Sequence, residues 1–402
     1  MLQKIIHALT RRSHPWRDMK FDELAELYTS MSLRSLGFSL IGIFVPIFLY
    51  KNGISIQQIF YFYTLFFILR IPVAYVGAHV VGRVGPKHGL ALSTVLFVVF
   101  LSMLLSYQTI VWPLESLALM FTITNGLFFI SYHTDFSKIK NSKHAGKELG
   151  WLFIFERIGG ALGPVIGGLA ASFVAPELTI VLAIAVFVFS LVPLFLTNEP
   201  VRLHQHISFS GFKWREHIRD GIAMGAFGID NVASIMFWPL LVGVTVFQEG
   251  TYAKVGAVVG IGYAVSLLSA HLFGIFIDNK KGRLLMQYGV VLNTIMHTLR
   301  PFMLTQTGVI AMSTANEPVT LAYRMPLSKG QYDVADTVKG FRIVYLSWLE
   351  MVTAFFKVLY SFGLYLACFY FDDVLVLRMG FIIVALVSLL MFSQNFPALK
   401  KP

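Results

Sequence analysis

The sequence is poor in charge. Asp, Glu, Lys and Arg make up 13% of its 402 residues, about half the share of a soluble globular protein. Cysteine is nearly absent. Cys368 alone, inside an apolar run, excludes an intramolecular disulfide and a thiolate metal cluster. No Asn-x-Ser/Thr acceptor occurs. The signatures H-E-x-x-H, G-x-S-x-G, C-x-x-C and the P-loop lysine are missing as well, so the chain does not read as an enzyme of those classes. His204 and His206 lack Cys or acidic neighbours and make no metal site. Neither a metal nor a cofactor is expected.

What is present is apolar bulk. Hydrophobic residues reach 56%, aromatics 15% with 37 Phe, and mean hydropathy is +0.70. A water-soluble fold of this size cannot hide that much apolar surface. A polytopic membrane protein can, because lipid covers it. The formal charge of +11 then reads as basic loops on one membrane face, with no nucleic-acid partner.

Twelve segments have the length and polarity of a spanning helix, near 28–50, 57–79, 90–107, 112–132, 149–174, 178–196, 221–247, 255–277, 285–304, 308–325, 341–371 and 374–392. Only helices and closed barrels satisfy the backbone in lipid, and barrel-type alternation is absent, so the fold class is an all-α membrane protein. Alternate loops on the side of the termini carry 22 Lys and Arg, against Lys51 and Lys254 on the other side. That asymmetry places both termini in the cytoplasm of a multi-pass plasma (inner) membrane protein. Residues 1–20 have no cleavable signal pattern and read as a basic lead-in on the membrane surface.

The connection 198–220 is polar and basic. It reads as a linker ending in a short interfacial helix at Trp214, and it splits the chain into bundles at 1–200 and 218–402 joined by a cytoplasmic loop at 201–217. Repetition supports the split. Ala78 to Lys87 and Gly274 to Arg283 share a small residue, a tight turn and a basic cluster, 196 positions apart. Glu156 and Glu350 lie 194 apart. Such offsets are the trace of a duplicated six-helix unit.

With these features the chain resembles the major facilitator superfamily over nearly its whole length. The loop motif of that family, G-x-x-x-D-R-x-G-R-R, is matched at Arg83 and Gly85, with Ala78, Gly82 and Pro86 as departures; its second copy keeps Gly274 and Asp278. Span five carries Gly150, Gly159, Gly163, Pro164, Gly167 and Gly168, similar to the motif of drug/proton antiporters. Gly159, Gly163 and Gly167 share one face, which admits another helix backbone, here expected to belong to the opposite half. One departure is the absence of a charge in span four between Met120 and Ser131. The resemblance implies two six-helix bundles around a central site, lined by spans one, four, seven and ten, with three, six, nine and twelve outside.

Charges inside a membrane are functional candidates by default. Asp230 and Glu317 lie mid-membrane on spans seven and ten, where they suit cation binding or reversible protonation, or else a structural ion pair with Arg324 or a hydrogen-bond lock between helices. Arg34, Asn231, Asn125 and Tyr132 are further candidates for substrate contact. Glu156, Arg157, Glu350, Lys357, Arg83 and Asp278 read as gating or structural ion-pair residues, with Arg157 or Arg70 as the expected partner of Glu156. His133 reads as a loop-end histidine, with a proton relay as the alternative. Asn293, His297 and Arg300 form a stripe on span nine, expected to pack at the periphery and reach the outer leaflet.

The resulting expectation is a secondary transporter, monomeric, moving a small-molecule substrate across the bilayer by alternating access, with proton-coupled efflux as one mode. A uniporter or symporter for a nutrient is the alternative, and a non-transporting sensor or lipid-handling protein the alternative of another class. Topology gives the first prediction. With Cys368 replaced, a cysteine at position 143 should resist an impermeant thiol reagent applied from outside, and one at position 53 should react. Outside labelling at position 143 contradicts the orientation.

Overall fold

The computed structural model describes residues 23–139, 145–196, 198 and 204–399. The lead-in expected at 1–20 lies outside them, as do Lys140, Lys143, Arg202 and the C-terminal lysines. All regular structure among the described residues is helical. Ten stretches are long and apolar enough to cross a membrane. One of these, Thr251–Phe302, holds two helices, Thr251–Phe276 and Gly282–Leu299, because the chain turns back at Lys280 with φ 60°. A further helix, Gln306–Thr337, reads as less apolar because Glu317, Arg324, Lys329, Asp333 and Asp336 interrupt it. Counted together these are the twelve expected spans.

In chain order span one is Glu23–Ile41 continued by Val45–Lys51, span two Ile56–Val84, span three Pro86–Leu105 and span four Leu114–Ile139. Span five is Ala145–Phe173 and span six Pro176–Phe189. Span seven joins Ile218–Val232 to Trp238–Thr245. Spans eight, nine and ten are the three helices given above, and spans eleven and twelve are Arg342–Ala367 and Asp373–Ser388.

Local chemistry sets several of these ends. Ser55 and Gln58 form a reciprocal capping box at the start of span two, which satisfies two orphan N–H groups. Gly85 takes φ 88° between spans two and three, and Pro86 opens the next helix. That turn needs a residue without Cβ, followed by one with a helical φ already set. Asp372 accepts from the N–H groups of Val374 and Leu375 to start span twelve. The expected interfacial helix at Trp214 is a single 3₁₀ turn, Trp214–His217, leading into span seven.

Packing follows the solvent. Large apolar side chains such as Val95, Val188, Leu268 and Leu386 point outward, while Arg70, Arg157, Asp230, Asn293 and Arg300 are buried. This inverts the soluble pattern, because lipid accepts the first group and not the second. The most extensive helix contact joins spans five and eight, and spans two and eleven form another broad contact across the same interface between halves.

The span-five glycines divide between two neighbours. A Cβ on Gly159 would collide with Ser32 O and one on Gly163 with Ser39 Oγ, and Gly167 lies against Leu40 O. These three face span one in their own half, not the opposite half as expected. The reason is helical register: the i, i+4, i+8 face points inward. Gly150 and Gly168 carry the cross-half contact instead, meeting Ala270 O at 3.1 Å and Ala253 Cα at 3.0 Å from a built Cβ. Span eight answers with Gly256 against Pro164 O and Gly260 at 3.0 Å from Ala161 O. The same proline thus has its carbonyl covered by a glycine of the other half.

The two seams should therefore fail differently. Gly163→Leu, on the intra-half face, should lower folded yield and thermal stability. Gly256→Leu should spare each half but push spans five and eight apart. Cysteine cross-linking between positions 161 and 260, weakened by Gly256→Leu in folded protein and by Gly163→Leu only with loss of fold, checks this.

Candidate functional site

Charged side chains converge where the halves meet. Arg70 on span two donates to Glu350 on span eleven at 2.7 Å. Arg157 on span five bonds Glu317 on span ten. Next to it, Glu156 accepts from Arg324 on span ten at 3.3 Å. Each pair takes one partner from each half. Two expectations are corrected: Glu156 pairs with neither Arg157 nor Arg70, and neither Asp230 nor Glu317 pairs with Arg324. Adjacent residues on a helix point about 100° apart, so Glu156 and Arg157 reach different partners.

Aromatic faces support the cations. Arg157 lies over Tyr263 at 4.4 Å, Arg324 over Phe153 at 4.5 Å and Arg70 over Phe129 at 4.8 Å. His133 belongs to this interface and is not a loop-end residue: its Nδ1 is 2.8 Å from Tyr332 Oη and its Nε2 3.7 Å from Glu350. Lys357 lies over Phe67 at 5.4 Å. Among the described residues no carboxylate lies within 4.0 Å of it, and the three interface carboxylates Glu156, Glu317 and Glu350 are each bound to an arginine.

Asp230 and Glu317 sit in separate networks. Asp230 is 1% exposed and sits inside the C-terminal half. Its Oδ1 accepts from Asn293 Nδ2 at 2.8 Å and lies 2.6 Å from His297 Nε2; its Oδ2 accepts from Tyr323. The stripe Asn293, His297, Arg300 is therefore turned inward and buried, not peripheral. Asp230 is the cause, because a buried carboxylate must find donors and span nine supplies them. Arg300 Nη1 continues the chain to His297 Nδ1 at 3.1 Å and to Ser234 Oγ at 2.9 Å. Trp238 and Phe381 cover it, at 5.1 and 5.6 Å. Neutral His297 fits this geometry with its proton on Nε2, donating to Asp230 and accepting at Nδ1 from Arg300.

Of the candidates in the N-terminal half, Arg34 and Asn125 bond within their own half, whereas Tyr132 shares a core cluster with Leu321, Met325 and Tyr332 of the other half. Arg34 is buried, donates to Thr94 Oγ1 at 2.6 Å and lies over Phe128 at 3.9 Å. Those contacts are on spans three and four of its own half, away from the interface. Asn125 turns back to Phe121 O at 2.9 Å, and Tyr132 stacks on Phe128. Asn231 is half-buried and makes no side-chain hydrogen bond with the described residues. Arg83 is exposed and its carbonyl accepts from His204 N, whereas Asp278 accepts from Lys147 N at 3.1 Å across the halves. These two motif residues are thus not partners of each other. The pair of Lys87 and Glu26, 2.9 Å apart and buried, was not visible in the sequence because Glu26 precedes the apolar run of span one.

Contacts cross between the halves at both membrane faces. On the basic face Arg342 donates to Ser137 O at 2.6 Å, and Phe136 packs on Tyr332. On the opposite face Ala253 N donates to Ser172 Oγ at 3.2 Å, and Phe60 and Tyr63 meet Phe237 edge-on. Two spaces remain. A cleft of about 380 Å³ lies at the opposite face beside Lys51, Gln248 and Tyr252. A cavity of about 30 Å³ lies deeper, between Trp238, Tyr263, Arg300 and Glu317.

Comparisons with known proteins agree with this architecture. Residues 27–316 match the family model of the Major Facilitator Superfamily. No curated protein gives a significant match to the sequence. Among solved structures, the transporter FucP in its outward conformation aligns with TM-score 0.65 at 13% identity, covering 92% of this chain and 96% of that one. The human organic anion transporter MFSD10 (TETRAN) aligns with TM-score 0.68 at 12% identity, covering 92% and 97%. A variant of the E. coli fucose:proton symporter FucP aligns with TM-score 0.61 at 14% identity, covering 92% and 98%. At these identities the likeness is one of fold.

The interface pairs yield a stability test. Arg70→Ala leaves half-buried Glu350 without its guanidinium, which costs about 1–3 kcal/mol. Arg70→Ala with Glu350→Gln removes both charges and should recover most of the loss. Thermal unfolding in detergent reads the cycle; a double variant no more stable than Arg70→Ala contradicts the pairing.

Proposed function

The chain belongs to the Major Facilitator Superfamily, and from this premise we propose that it is a secondary transporter moving a small solute by alternating access. In this reading residues 1–200 and 218–402 are the two rocking bundles, 201–217 the cytoplasmic link, and the protein works as a monomer in the plasma membrane. The observation that carries the reading is the set of ion pairs split between halves: Arg70–Glu350, Arg157–Glu317 and Glu156–Arg324. A pair shared by two rigid bodies can exchange partners as they rock, whereas an ion pair inside one body only holds it. The contacts at both faces fit a state in which neither side is open.

Coupling to protons, as exchange for an exported solute, is proposed through Glu317. That carboxylate borders the small cavity and faces Arg157 of the other half, so protonation releases a cross-half bond. Asp230, tied to three donors within its own half, is assigned a positioning role. The neighbours in fold include a fucose:proton symporter and an organic anion transporter, so the fold admits several solutes and modes of coupling.

Reconstituted transport separates the roles. Glu317→Gln should abolish pH-driven accumulation while leaving solute exchange largely intact. Asp230→Asn should reduce folded protein and affect both modes together. Normal pH-driven transport by folded Glu317→Gln protein would remove Glu317 from the cycle.

A further inference from the structure

We infer that Arg300 holds an anionic group of the transported solute, a carboxylate, in the cavity between spans seven, eight and ten. The inference rests on the transporter reading and names its substrate class. Arg300 is 1% exposed and lines that cavity. Only its Nη1 is engaged, with Ser234 and His297; Nε and Nη2 find no acceptor among the described residues. No carboxylate lies within 4.0 Å of it among those residues, and Asp230 is reached only through the His297 ring. A planar guanidinium with two adjacent unused donor positions matches the two oxygens of a carboxylate.

The walls supply the rest of a recognition site. Asn316 Oδ1, on the same cavity, is buried without a donor. A solute bearing a carboxylate and a nearby O–H or N–H satisfies both orphaned groups at once, which removes two desolvation penalties. Trp238 and Tyr263 give apolar faces for its carbon frame, and the Trp238 indole N–H is already taken by Ser313 at 2.9 Å. Charge points the same way. Each interface carboxylate already has an arginine, so none of the three is left to hold a cationic solute. The donors left over belong to a guanidinium, which favours an anion over a cation.

In this state the cavity, at about 30 Å³, holds about one water molecule, so the solute must widen it. The surrounding helices are built to yield there. Span seven has a π-helical segment at Ala233–Phe237 followed by Pro239, and Pro318 follows Glu317 inside span ten. Both features loosen the backbone ladder beside the site.

The test uses purified full-length protein and matched probes: acetate, lactate and benzoate, their neutral amides, and benzylamine. At least one carboxylate should raise the thermal unfolding midpoint by several degrees, with its amide and the amine inactive. Arg300→Gln should abolish that shift, and Arg300→Lys should weaken binding at least tenfold, because an ammonium lacks the fork. If Arg300→Gln does not fold, the carboxylate-against-amide comparison on the unaltered protein still decides. Stabilisation by amides or amine equal to that by acids overturns the inference, as does equal stabilisation by chloride. Proteoliposome counterflow of the same probes separates the two readings. Carboxylate binding without flux keeps the Arg300 site and overturns transport; flux of amide or amine without acid keeps transport and overturns the anion assignment.

Discussion

A charge in the hydrocarbon interior has no water to turn to, so it must find a counter-charge, a hydrogen-bond partner or an aromatic face within the protein. In this chain the constraint is met mainly across the boundary between halves. Arg70, Arg157 and Glu156 look outward from the N-terminal half and are answered by Glu350, Glu317 and Arg324. Either half alone would present both signs of charge to lipid. The pairs thus enforce association of the halves, and under the proposed alternating access their position on two bodies would let the association be remade as the bodies tilt. A polar core inside one bundle, such as Asp230 with Asn293, His297 and Tyr323, has a different consequence. It fixes spans seven, nine and ten to one another within the C-terminal half.

Close backbone approach is the second requirement, and small residues meet it at two distinct seams. Spans one and five are joined by Gly159, Gly163 and Gly167, with Ser39 Oγ donating to Gly159 O at 3.2 Å. Spans five and eight are joined by Gly150, Gly168, Gly256 and Gly260. The first seam is buried within one half and the second lies where the two halves meet. In lipid there is no hydrophobic drive between helices, so contact area and backbone polarity decide how well they adhere. The second seam brings the charged pairs of span five within reach of span ten.

Much of the fold is legible in the sequence, because length and apolarity mark each span and basic loops alternate with neutral ones. The one span that composition marks poorly, Gln306–Thr337, is the most charged, and it supplies Glu317 and Arg324 to the interface. The candidate site was legible as a set of residues but not as a set of partners. Helical spacing puts Asn293, His297 and Arg300 on one stripe, yet it does not say which way the stripe faces. That direction depends on Asp230, which lies 63 positions away from Asn293. Arg157 and Glu156 are neighbours in sequence and could not be told apart by spacing. The face of the glycine seam was misjudged for the same reason: a motif gives the register of small residues, while the identity of the partner helix is set by the bundle.

The central claim is that two rigid halves tilt about an interface held by exchangeable ion pairs. Spin-label distances measured at both faces of one protein test it most directly. With Cys368 replaced, one pair of labels at Tyr50 and Glu249 reports the opposite face, and a second pair at Lys138 and Lys339 reports the basic face. Raising the pH of reconstituted protein from acidic to alkaline should shift the two distributions in opposite directions, one face widening as the other closes. Distributions that stay fixed at both faces, or that widen together, contradict the account.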